Sequence, residues 1–401
     1  MGSADILDAS KLCYDGDFDT QFNRILQTIR LTRWQVQNLT TLLDDLTHQL
    51  RPIWRDCLIH AFGSIVIGLG IKTSDIDCYI DTGTSQPPRD CVIKAREIFK
   101  HSPHLFRNVF AITAAKVPIV KLLHLPTNCN TDISFSGPAG VRNSELLAYL
   151  LHLDDRAIKL AILVKYWSKV YDFTGTNLMP NYALTMLVVF FLQLKGILPA
   201  ISVLQKGVPK HMVNGWNTAF NEKYQHPSEC EANIYELLGD FFKYYSTFNY
   251  TDDMISPYIG FRLKRKSFSC LKNIPQGFDL YKTLVASRAC KALRVDTFMC
   301  IQDTFEHNRN CTVAVYPRLA VKIVGHFKFA ANLYDRVDSK DFLRKLLTED
   351  PHRPLEPSPS VPQHSNRNRV VKNNKQLLKK NIKDLFKAGL LDVDSFPKRK
   401  R

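Results

Sequence analysis

The chain contains no C-x-x-C pair, and its ten cysteines are scattered rather than gathered into a four-ligand zinc pattern. That excludes a zinc finger or ribbon, and the scatter reads as reduced thiols of an intracellular protein rather than a disulfide framework. Long apolar runs are also missing: the longest, residues 183–192, is too short for a bilayer and suits a buried helix. The N-terminus, M-G-S-A-D-I-L-D, lacks the basic start and apolar stretch of a secretory signal. It also lacks the sixth-position Ser or Thr that favours myristoylation. No membrane partner is expected. No internal repeat and no RRM, KH or zinc-finger segment is visible, so specificity for a polymer would come from a protein partner or from the tail.

What is present is a chain of 401 residues, 45% hydrophobic, long enough for two folded units and a tail. The net charge is +16. Residues 351–401 hold 13 Lys/Arg against 4 Asp/Glu, and residues 1–350 hold 41 against 34. Both parts suit a polyanionic partner, the tail through salt-dependent phosphate contacts.

Apolar residues recur at helical spacing in two sets, Phe22, Ile25, Leu26 and Ile29, then Leu39, Leu42, Leu43 and Leu46, predicting one or two helices over 20–50. Residues 56–140 are strand-rich, with a flanking helix expected at 87–101. Helices follow: 144–171 with a break near 152–154, the uniformly apolar 181–194, and 231–248. A Pro- and Ser-rich linker at 350–366 leads to a basic stretch, 372–391, that could form a helix.

The most informative segment is F-G-S-I-V-I-G-L-G-I-K-T-S-D-I-D-C-Y-I-D, residues 62–81. Asp75 and Asp77 fall on one face of an alternating strand, with Ile76, Cys78 and Ile80 on the other. Gly63 permits a tight turn, and Ser64 opens a segment whose backbone N–H groups can cradle phosphate. A two-metal site needs a third carboxylate. Asp132, in T-D-I-S-F after the strand V-P-I-V-K-L-L-H-L and a polar turn, is the candidate.

These motifs resemble the terminal uridylyltransferases and cytoplasmic-type poly(A) polymerases, within the DNA polymerase β-like nucleotidyltransferases. The resemblance runs from about 20 to 335 and also rests on V-R-N-S-E-L-L (141–147), L-V-K-Y-W-S-K (163–169), M-P-N-Y-A-L-T-M (179–186), G-D-F-F-K-Y-Y (239–245) and I-Q-D-T-F-E-H-N (301–308). It implies an α+β fold: a small mixed-sheet palm domain at 56–140, a helical central domain from 20–55 and 141–345, and a disordered basic C-terminal tail from 346.

The resemblance also implies roles. Asp75, Asp77 and Asp132 would be catalytic and bind Mg²⁺, with Mn²⁺ as a substitute. Gly63 and Ser64 would hold the triphosphate together with Lys165 and Lys169, which lie i, i+4 on one helix face. Asn143 would contact the sugar 2′-hydroxyl, and Tyr182 would stack on the base. Asn181 stands where the family usually has Ser. The base-recognition segment departs from the family form D-P-F-E-x-x-H-N. Without a gap, Asp303 and Glu306 match and Arg309 replaces the histidine; with a two-residue deletion, His307 is the match.

The function this implies is template-independent addition of NMPs to RNA 3′ ends, with UTP favoured over ATP. The alternatives are a poly(A) polymerase adding AMP, a catalytically silent RNA-binding scaffold on the same fold, and a nucleotidyltransferase acting on nucleotides or proteins. A cytoplasmic location is expected, and residues 398–401 are compatible with nuclear import.

Overall fold

The computed structural model describes residues 5–350. The expected linker, basic helix and terminal basic cluster lie outside the described residues.

The first helices are α1 (Phe18–Ile29), α2 (Arg33–Gln37) and α3 (Leu39–Leu50). α1 starts where Asp17 accepts a hydrogen bond from the Thr20 N–H at 2.8 Å, a side-chain cap on an orphan donor. Five strands and a helix follow: β1 (Leu58–Phe62), β2 (Ile76–Asp81), α4 (Pro88–Lys100), β3 (Phe106–Ile112), β4 (Ile119–His124) and β5 (Cys129–Ser134). They form one mixed sheet in the order β1-β2-β5-β4-β3. The β2–β5 pair is parallel and the other pairs antiparallel. The remainder is largely helical: α5 (Ala139–Leu151), α6 (Asp155–Val170), α7 (Asn181–Leu194), α8 (Ile201–Leu204) and α9 (Ile234–Thr247). Two short hairpins accompany them, β6 (Met212–Val213) with β7 (Trp216–Asn217), and β8 (Asp253–Met254) with β9 (Leu263–Lys264). Helices α10 (Asp279–Ala286), α11 (Pro317–Arg336) and α12 (Ser339–Thr348) complete the body.

Two hydrophobic cores result. The larger gathers α1, α5, α6, α7, α9, α11 and α12, with Ala183 to Leu192 of α7 buried throughout. The smaller lies beneath the sheet and contains Ile76, Cys78, Ile80, Val120 and Ile133. Residues 20–55 divide between the two cores. Phe22, Ile25, Leu26 and Ile29 join the large core, whereas Leu42, Leu46, Leu50 and Trp54 pack under the sheet. Both stripes have helical period, and period alone does not say which core a stripe faces. Ile67, Leu69 and Ile71, from the turn that leads to β2, join the large core and tie the two units together. The body also runs past residue 345, since Leu346 and Leu347 of α12 are buried.

All ten cysteines are free. Among the described residues no helix is long and apolar enough to cross a membrane.

Candidate active site

The parallel pairing of β2 and β5 sets Asp77 directly opposite Asp132. Asp75 lies one residue before β2 and is exposed, while Asp77 is half-buried above the buried Ile76 and Cys78. The structure therefore brings the three carboxylates expected from sequence to one end of two central strands.

Gly63 turns the chain out of β1 with φ +77°, and a Cβ there would collide with the Asp77 carboxylate. Its N–H donates to Ser144 Oγ at 2.8 Å, and that hydroxyl donates to Gly140 O at 2.8 Å. The following residues make one helical turn, with Ile67 N–H to Gly63 O at 3.1 Å and Leu69 N–H to Ser64 O at 2.8 Å. The N–H groups of Ser64, Ile65 and Val66 have no hydrogen-bond partner among the described residues. Such orphan amides at the start of a helical turn suit phosphate oxygens.

The electrostatics are those of crowded carboxylates. Burial, then Asp132 and Asp75, push the Asp77 carboxyl up to about 7 against the opposing pull of Lys165 and Lys121. Burial also raises Asp132, although Lys121 Nζ lies 2.6 Å from each of its oxygens. Lys165, expected at the triphosphate, is buried. Its ammonium donates to Leu69 O at 2.8 Å and Ser74 Oγ at 3.1 Å, so it anchors the turn that carries Asp75. Burial and the neighbouring Lys169 lower it to about 7. Lys169 has no ion pair among the described residues and is the freer of the two to meet a phosphate.

Among the described residues no three His, Cys, Asp or Glu side chains are gathered closely enough to hold a metal ion by themselves. The donor set still fits a hard divalent cation, because its ligands are carboxylate oxygens whose mutual repulsion a cation would relieve. Mg²⁺ usually takes one or two carboxylates and completes its shell with phosphates and water.

Tyr182 at the start of α7 pairs its hydroxyl with Thr304 Oγ1 at 3.1 Å, and Thr304 donates to Asn143 Oδ1 at 2.8 Å. The tyrosine and asparagine expected at base and sugar thus belong to one hydrogen-bonded group. Asn181 keeps a buried Oδ1 with no partner among the described residues, leaving an acceptor for a ligand or water. Asp303 is wholly buried, and one oxygen caps the Phe305 and Glu306 N–H groups at 3.0 Å each. Its other oxygen lies 3.6 Å from Arg309 Nη1, which is also 3.4 Å from Glu306 Oε2. Asp303 thus sets a buried carboxylate against the Arg309 guanidinium. Burial opposes the Arg309 charge, but Asp303 leads the neighbours that raise its pKa.

His307, the alternative match, is enclosed by aromatic rings. Its centroid lies 4.0 Å from Tyr258, 5.2 Å from Phe278 and 5.5 Å from Trp216. Its imidazole hydrogen-bonds the backbone of Thr304, the residue that joins Tyr182 and Asn143, so it sits beside that group. Burial depresses the imidazole to about 3. The Asn310 side chain accepts from the Thr312 N–H at 2.9 Å and donates to Thr297 Oγ1 at 2.8 Å, pinning the end of this loop.

A histidine held at about 3 when its ordinary value is 6.5 binds a proton only after unfolding. Stability should therefore fall as pH drops from 6.5 towards 3, by about 1.4 kcal/mol per pH unit from this group. His307→Phe is expected to lose less Tm than the parent between pH 7 and pH 5 in paired thermal melts. Parallel curves for the two proteins would contradict the buried neutral imidazole.

Sequence reasoning missed Ser144, Thr304 and the Asp132 partner Lys121. Each stood inside a quoted motif, but its role depends on a contact between distant elements: Ser144 with Gly63, Thr304 with Asn143, and Lys121 with Asp132 in the β4–β5 register.

The family model described as "Poly(A) RNA polymerase, mitochondrial-like, central palm domain" matches residues 18–152. That described as "Cid1 family poly A polymerase" matches 233–309. Human terminal uridylyltransferase 7 is 33% identical over 226 residues, which cover 51% of this chain and 15% of that protein. Poly(A) RNA polymerase cid11 of Schizosaccharomyces pombe is 26% identical over 305 residues, covering 74% of this chain and 58% of that protein. The chain thus spans less than two thirds of the length of these relatives. A crystal structure of mtPAP in complex with UTP shares the fold at TM-score 0.71 and 20% identity, covering 86% of this chain and 73% of that one. So does Cid1 poly(U) polymerase with Mg and 3′-dATP bound, at TM-score 0.66 and 21% identity, covering 82% and 98%.

Proposed function

We propose, for a chain that belongs to the family of terminal uridylyltransferases and Cid1-type poly(A) polymerases, that it adds nucleotides from NTPs to RNA 3′ ends without a template. The observation that carries this reading is the register of Asp77 against Asp132 beside the Gly63 turn. Mg²⁺ held by Asp75, Asp77 and Asp132 would activate the RNA 3′-hydroxyl and stabilise charge on the leaving pyrophosphate. The residues of the chain do the rest. The 64–66 amides and Lys169 receive the triphosphate, Asn143 the ribose 2′-hydroxyl, and the Tyr182 ring the base. Lys165 holds the carboxylate-bearing turn in place through Leu69 and Ser74. The cytoplasm is the proposed compartment, by analogy with the family.

UTP is the proposed substrate, through Arg309. Arginine only donates hydrogen bonds, so a base presenting carbonyl acceptors suits it better than one presenting the adenine amino group. Extension of a labelled oligoribonucleotide with each of the four NTPs separately tests the reading, and equal failure with all four would overturn it. Arg309→Ala is expected to reduce the UTP:ATP ratio of kcat/KM by about tenfold, the order of one charge-assisted hydrogen bond. His307→Ala should leave that ratio alone. A shift seen only in the His307 variant would mean that base choice does not run through Arg309.

A further inference from the structure

The positive charge of the described chain is concentrated in one stretch. Residues 261–294 hold nine Lys/Arg and one acidic residue, Asp279, a net of +8, whereas residues 1–350 together carry only +7. The rest of the folded body is therefore close to neutral.

Five of the nine are already engaged. Arg262 and Lys264 face Asp253 at 3.7 and 2.6 Å, Lys282 faces Asp279 at 3.9 Å, and Arg294 faces Asp296 at 3.2 Å. Arg265 is buried, donating to Val295 O at 2.8 Å and Phe298 O at 3.1 Å. Lys266, Lys272, Arg288 and Lys291 are exposed and have no ion pair among the described residues. Phe261, 59% exposed, stands beside them in sequence.

Packing joins these segments. Phe268 lies 5.7 Å from the Tyr281 ring on α10, and the Tyr281 hydroxyl accepts from the Leu293 N–H at 2.9 Å. The combined face adjoins the loop that carries Arg309. Asn308 Nδ2 donates to Lys291 O at 3.2 Å, and Asn310 Nδ2 to Arg294 O at 3.0 Å.

We infer that this face is a track for single-stranded RNA upstream of the 3′ end, with Lys266, Lys272, Arg288 and Lys291 on its phosphates and Phe261 against a base. The inference deepens the proposed function and rests on it. Four uncompensated cations give sequence-independent, salt-sensitive contacts to phosphates, and an exposed aromatic ring adds a stacking surface. Continuity with the nucleotide loop favours RNA over an anionic membrane.

The test uses the full chain and the neutral triple variant Lys266→Gln/Lys272→Gln/Lys291→Gln, with unchanged thermal melting as the folding control. For a labelled oligoribonucleotide of about 20 nucleotides, Kd at ~100 mM salt is expected to rise about tenfold. The slope of log K against log salt should shrink by about 2, from ~0.7 for each lost phosphate contact. The KM for UTP should not change. Equal RNA affinity and equal slope in the two proteins would overturn the inference. So would loss of binding to phosphatidylserine vesicles in the variant with RNA binding intact, which would assign the face to a membrane. If the parent protein neither binds nor extends RNA, the proposed function itself fails; a parent that extends RNA as well as the variant does, at matched KM for RNA, isolates the failure to this face.

Discussion

Alanine at Asp77 is expected to abolish nucleotide transfer while leaving the fold at least as stable as before. The carboxylates would lend several kcal/mol of charge stabilisation through the cations they hold, so losing one should cost on the order of 10³-fold or more in kcat. Stability should move the other way. Burial, Asp132 and Asp75 push Asp77 up to about 7, so its ionisation works against the folded state. A carboxyl raised in the fold favours folding below its unfolded value of 3.8, and that contribution is lost as pH climbs through about 7. In chelator, Asp77→Ala should therefore melt at or above the parent temperature, with the gain largest above pH 7. Asp75→Ala and Asp132→Ala should be equally inactive. Asp132→Ala should gain less, because the Lys121 ammonium offsets part of the burial that raises Asp132 and is itself left unpaired by the substitution. Near-normal incorporation with Mg²⁺ in Asp132→Ala would remove that residue from the ligand set.

Gly63→Ala should be nearly as damaging although it changes no charge. A non-glycine residue at φ +77° costs about 1–2 kcal/mol. The added methyl would also meet the Asp77 carboxylate, so either the aspartate or the turn must shift. Misplacing a reacting group by about 1 Å costs ~10²-fold in rate. Gly83→Ala supplies the control, because φ there is +64° and a methyl added at that position would meet no atom within 4 Å. Both variants should lose a similar amount of Tm, but only Gly63→Ala should lose kcat. Matched activities would show that the close approach of turn and carboxylate has no bearing on transfer.

Alternation and periodicity, short-range properties of the chain, were enough for much of the architecture. The run of apolar residues placed α7 at Asn181–Leu194, and the break near residue 153 separates α5 from α6. Alternation around Asp77 and Asp132 put both half-buried carboxylates on the strand face opposite the buried Ile76, Cys78 and Ile133. Each of these follows from a residue and its neighbours within a turn or two.

Every choice between distant partners lay beyond such local patterns. Amphipathic stripes in α1 and α3 look alike, yet one faces the helical core and the other the sheet, since burial depends on which surface is offered. His307 and Arg309 lie two residues apart in a polar segment. Only the rings of Trp216, Tyr258 and Phe278, brought from other elements, make one a core residue, and the buried Asp303 holds the other near the site. Its i, i+4 spacing pairs Lys165 with Lys169 for a triphosphate, but no local pattern shows that the Leu69 carbonyl and Ser74 hydroxyl accept from its ammonium. Local pattern was thus sufficient for the carboxylates, the strands that carry them and the helices around them. Which polar groups are tied up in long-range hydrogen bonds depends on the packed chain alone, because a buried donor or charge must find its partner wherever the fold supplies one.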